Sequence, residues 1–127
     1  MSHISIWKLA LKNIDKALLI AAIKALASEL GYEITTEISL GLHNFDIAMK
    51  STNLRNGIAF RATQEGGVEI VGDSWGQKEE YNRISQLAPS FINAYKATQI
   101  AKNKNPNSQT KLKIEGTNVL VALELNV

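Results

Sequence analysis

The sequence predicts an α+β fold: one domain over 1–127, in which a mainly antiparallel sheet carries two long helices in the order β-α-β-β-β-β-α-β-β. Three observations predict it. Apolar residues recur at helical spacing in two well-separated stretches, near residues 14–30 and 77–102. Between them the period changes to two, which is the spacing of strands with one buried face. The connections between these central segments are short and rich in glycine, which favours antiparallel neighbours over long crossovers.

Each element can be justified in order. Residues 4–9, ISIWKL, read as a strand with Ile4 and Ile6 on one face and Trp7 and Leu9 on the other, so both faces are expected to be covered. Asn13 or Asp15 can cap the helix that follows. In that helix Leu19, Ile23, Leu26 and Leu30 form a stripe widened by Ile20 and several alanines, while Lys12, Lys16 and Lys24 lie toward the other side. Gly31 is placed to end it in the left-handed conformation.

In YEITTEISL, residues 32–40, Tyr32, Ile34, Thr36, Ile38 and Leu40 alternate with Glu33, Thr35, Glu37 and Ser39. FDIAM repeats the pattern, with Phe45, Ile47 and Met49 inward and Asp46 and Ala48 outward. Ile58, Phe60 and Ala62 follow, and the Gly-Gly at 66–67 turns the chain so that residues 57–72 make a hairpin. The second helix lines Tyr81, Ile84, Leu87, Phe91 and Tyr95 along one side. Pro89 lies within it, and its missing N–H and ring clash predict a kink or break near residues 87–88. After the polar NKNPNSQT loop, Leu112 and Ile114 and then Val119, Val121, Leu123 and Leu125 form a closing hairpin turning at 115–118. Both helices are expected on one sheet face. The other face, with Glu33, Thr35, Glu37 and Asp46, is partly polar and suits solvent or a partner.

Composition excludes several classes. There is no cysteine, so disulfide scaffolds, thiolate metal sites and cysteine nucleophiles are out. No apolar run approaches the roughly 20 residues that span a bilayer. The first residues are interrupted by Lys8 and Lys12 and do not read as a secretory signal. His3 and His43 are the only histidines, with no carboxylate spacing that joins them, and no glycine-rich phosphate loop precedes a helix. No catalytic residue, metal or cofactor is assigned.

The charge is uneven. Between residues 29 and 80 there are nine acids and four bases; between 81 and 114 there are six bases and no acid. A solvated helix face is the ordinary cause of such a run, and a polyanion footprint is the alternative. Lys96, Lys102, Lys104, Lys111 and Lys113 are the candidate nucleic-acid contacts, with Tyr81, Phe91 and Tyr95 interleaved. Since these aromatics share the apolar stripe, they are expected inside rather than stacking on bases.

The stretch GDSWG, residues 72–76, is the other candidate. As a junction, Gly72 ends a strand, Asp73 or Ser74 caps the second helix and Trp75 covers the core edge. As a contact surface, Asp73, Ser74 and Trp75 stand together on a sheet-end loop. Glu79 and Glu80 just beyond it are first-turn acids, favoured there by the helix dipole without any catalytic role.

Several of these landmarks resemble an uncharacterised family of small cyanobacterial and algal plastid proteins, known as hypothetical chloroplast reading frame thirty-five. Its members begin Met-Ser-His, as MSHIS does here. Their first helix ends Leu-Gly-aromatic, here LGY at 30–32. A Gly-Ile-aromatic strand, here NGIAF at 56–60, leads to a strand ending Ala-Asp-Trp-Trp-Gly, here GDSWG. The usual Trp-Trp pair is Ser74-Trp75 in this chain, and the usual Gln-Arg-Tyr-Ala of the second helix is Gln86-Leu87-Ala88-Pro89. The resemblance implies a native N-terminus at Ser2 and His3 and a cytoplasmic or plastid stromal location, with no reaction attached. The expected function is a non-catalytic binding or assembly module with a protein partner; the alternative is an RNA-contacting protein using the basic segment.

Overall fold

A computed structural model describes residues 5–9, 11–35 and 45–125. In chain order they form β1 (Ser5–Leu9), α1 (Lys16–Leu30), β2 (Glu33–Thr35), β3 (Ile47–Ser51), β4 (Leu54–Ala62), β5 (Val68–Gly72), α2 (Lys78–Lys104), β6 (Ser108–Glu115) and β7 (Asn118–Leu125). The fold is α+β. His3, Glu37, His43 and the second half of the strand expected over 32–40 lie outside the described residues.

The first five strands make one antiparallel sheet in the order β1-β5-β4-β3-β2. Strands β2 to β5 are joined in sequence, and β1 adds to the free edge of β5. Helix α1 therefore carries the chain from one edge of the sheet to the other. Asp15 begins the helix: its carboxylate accepts from the Leu18 N–H at 2.7 Å. Gly31 ends it with a φ of 71°, in the left-handed region that favours glycine.

Both helices lie on one face. Leu19, Ile23 and Leu26 of α1 and Ile84, Leu87, Phe91 and Ile92 of α2 are buried with Met49, Ile58, Phe60 and Ile70 of the sheet in a single core. Each fully buried side chain of this size contributes about 1.5–3 kcal/mol relative to exposure, so this layer carries most of the stability.

Five expectations are corrected. First, of the kink or break expected near residues 87–88, the break does not occur: α2 runs as one helix from Lys78 to Lys104 with Pro89 inside it. The ring removes one backbone donor, but Leu87, Ala88, Phe91 and Ile92 around it are buried and hold the helix on. Second, β1 is not covered on both faces: Ile6 is 55% exposed, because β1 is an edge strand and its outward face stays open. Third, Phe45 does not point to the main core. It packs against Ala48, Ala59 and Val71, which make a second small cluster, so the centre of the outer face is closed by apolar side chains. Fourth, Asp46 is not an outward polar group of that face. Its carboxylate accepts from the Ala62 N–H at 2.7 Å and lies 3.8 Å from Lys16 at the start of α1. Fifth, the closing hairpin joins no other described strand. It is a separate two-stranded sheet lying on α2 through Leu112, Ile114 and Val119.

Candidate functional site

The GDSWG turn sits where β5 meets α2, beside the start of β4. Gly72 is buried against the ring of Tyr81; a Cβ there would lie 2.9 Å from Tyr81 Cε2. Only glycine lets the strand end this close to the helix. Asp73 is also buried, and one oxygen accepts from the Trp75 N–H at 2.9 Å, which bends the chain back in an Asx turn. Gly76 follows with a φ of 76°.

Neither expectation for Asp73 holds as stated. It does not cap α2, and it is not displayed. The residue before α2 is Gln77, which makes no side-chain cap. Its amide instead fastens the turn from inside. The nitrogen donates to the Asp73 carbonyl at 2.7 Å and the Gly57 carbonyl at 3.0 Å, and the oxygen accepts from the Asn56 N–H at 2.9 Å. Asn56 closes the loop by donating its side-chain amide to the Trp75 carbonyl at 2.9 Å. Ser74 is half-buried. The turn is thus bonded to β4 on both sides, and Trp75 stands out from it at 63% exposure. The expectation that Trp75 covers the core edge is corrected.

Trp75 borders an open groove of about 790 Å³, whose other walls include Arg55, Asn56, Lys78, Glu79 and Arg83. A second groove meets it at Thr52, Asn53 and Arg55 and continues toward Tyr32 and Lys50. The wall between them is tied together. The Tyr32 hydroxyl donates to Glu80, and Glu80 also pairs with Arg83 at 3.0 Å. Arg83 Nε reaches the Gly116 carbonyl of the β6–β7 turn at 3.3 Å. Glu80 and Arg83 are therefore committed to holding elements together. Arg55, Lys78 and Glu79 are the exposed charges left facing the groove.

Close to this turn, burial and the carboxylate of Asp73 push the Tyr81 hydroxyl up to about 12. It makes no hydrogen bond among the described residues. A phenol this reluctant to ionise is a poor base at neutral pH.

Lys96 is half-buried and donates to the Lys12 carbonyl at 3.0 Å, bracing α2 against the β1–α1 loop. Lys102 and Lys104 are exposed in the last turn of α2, and Lys111 and Lys113 are exposed on β6, Lys113 lying 4.0 Å from Glu115. Tyr81 and Phe91 are in the core, and Tyr95 packs against it. Among the described residues no group of three or more His, Asp or Glu is placed to hold a metal. No described helix is long and apolar enough to cross a membrane.

Sequence reasoning found Trp75 but missed Gln77, Asn56 and Arg55. Amide side chains satisfying a turn leave no periodic signal, and Arg55 enters the groove only because the β3–β4 hairpin folds back beside α2. No family model, no curated protein and no solved structure matches this chain.

Proposed function

We propose that this chain is a non-catalytic binding module whose partner is another protein, held at the Trp75 groove. The observation that carries this is the exposure of a tryptophan on a turn held by hydrogen bonds to the side chains of Asp73, Gln77 and Asn56. A large apolar ring in water gains nothing for the fold, while a rigid, pre-placed aromatic is the usual anchor of a protein interface. Arg55, Lys78 and Glu79 supply the mixed polar rim around it. The landmarks LGY and GDSWG resemble those of the reading-frame-thirty-five family, and that resemblance is the ground for proposing a cytoplasmic or stromal setting.

Trp75→Ala tests the proposal. Its unfolding free energy in urea is expected to stay within about 0.5 kcal/mol of the parent. Capture of the partner that co-purifies from the native host, identified by mass spectrometry, is expected to be lost. A large loss of stability with unchanged capture overturns the reading.

The RNA alternative keeps one observation in its favour. Lys102, Lys104, Lys111 and Lys113 are all exposed, and Lys113 lies 4.0 Å from Glu115. Phosphate contacts release counterions, so retention on a homopolymeric RNA must fall steeply with salt and fall again on charge reversal at Lys102 and Lys104. No retention at low salt removes it.

A further inference from the structure

Among the described residues the two sheets have four outer strands, and three of them carry a feature that discourages pairing with another chain. β1 presents the exposed Lys8, β2 is only three residues long, and β6 presents Lys111 and Lys113. These are the ordinary protections of a sheet edge. β7 has none of them. It is eight residues long, contains no proline and no lysine or arginine, and its one charged residue, Glu124, falls next to its end. Along it Leu120 and Val121 are 46% and 52% exposed on opposite faces, so apolar surface borders the edge from both sides.

We propose that β7 is a self-association edge whose occupant is the β7 of a second copy of this chain, paired antiparallel about a two-fold axis. The charge pattern selects that occupant. From Asn118 to Leu123 the strand offers no counter-charge to an acidic or a basic peptide, and it matches an equally uncharged, alternating strand. An antiparallel pair centred on Val121 sets Val121 opposite its own symmetry mate and Leu120 opposite the Ala122 position, so no like charges meet along the middle of the ladder. The contact is isologous and closes at two copies. The combined sheet runs β6-β7-β7-β6, and both of its new outer strands are β6, with Lys111 and Lys113 to stop further growth.

The inference does not depend on Trp75. It is tested by sedimentation equilibrium of the whole chain and of two variants, Val121→Lys and Val121→Glu. Val121 is half open to solvent, so both variants are expected to keep the parent's circular dichroism spectrum. The parent is expected to approach twice the monomer mass of 13.9 kDa as concentration rises. Each variant alone, with like charges opposed at the axis, is expected to sediment as a monomer. A mixture of the two is expected to recover the double mass, since a cation then faces a carboxylate. A parent that stays monomeric at every concentration overturns the proposal. So does a dimer that both variants retain, because the interface then lies elsewhere. If either variant loses its fold, Leu120→Lys on the other face of β7 replaces it, with the same expected monomer and the same contrary result.

Discussion

Gln77 is the residue on which the candidate site rests. Its side chain is buried and uses both donor and acceptor to satisfy two carbonyls and one N–H of neighbouring segments. Gln77→Leu leaves those backbone groups buried without partners, so a loss of about 1–3 kcal/mol is expected in urea unfolding. Tyr81 gives a second expectation at this scale. Its hydroxyl is raised to about 12, above the ordinary 10 of an unfolded chain. Below pH 10 both states are neutral and the contribution is fully present; as pH rises toward 12 the unfolded state ionises first and stability is lost. Tyr81→Phe is expected to flatten this decline, read as the difference between the two proteins' melts from pH 9 to 12. Side-chain roles at this scale were only partly legible. The spacing of GDSWG located the junction, but burial of Asp73 and exposure of Trp75 are set by Asn56 and Gln77, residues without apolar periodicity.

The elements themselves were the most legible. Helical stripes, the Asp15 and Gly31 ends of α1 and the Gly-Gly turn are local signals, and all nine elements follow in the expected order. What local signals missed was tertiary override. Pro89 should end a helix, yet packing of its neighbours on both sides carries α2 through. The proline leaves the Ser85 carbonyl without the N–H that would ordinarily bond it. Pro89→Ala restores that donor, and a gain of up to about 3 kcal/mol is expected in urea unfolding. Phe45 and Ile6 were misplaced for different reasons. Phe45 precedes β3, which begins at Ile47, so the strand's alternation does not reach back to it and it joins Ala48 on the other face. For Ile6, alternation tells which residues share a face but not which face finds cover, and β1 is an edge strand.

At the scale of the whole molecule, the two-layer arrangement follows from two helices with wide apolar stripes and one sheet face to receive them. The strand order was not legible, because nothing in a strand's composition names its partner. That order has a kinetic side. β1 pairs only with β5, from Ser5 opposite Gly72 to Leu9 opposite Val68, so every rung joins residues roughly sixty apart in the chain. Loop closure over that distance is costly before any contact rewards it, whereas β3, β4 and β5 are hairpin neighbours that form from nearby residues. Leu9→Ala is accordingly expected to speed unfolding and leave the refolding rate almost unchanged, a φ-value below about 0.3 in stopped-flow measurements. On the ribosome the consequence is one of waiting: β1 emerges before every other described element and has no strand to join until Gly72 has been made.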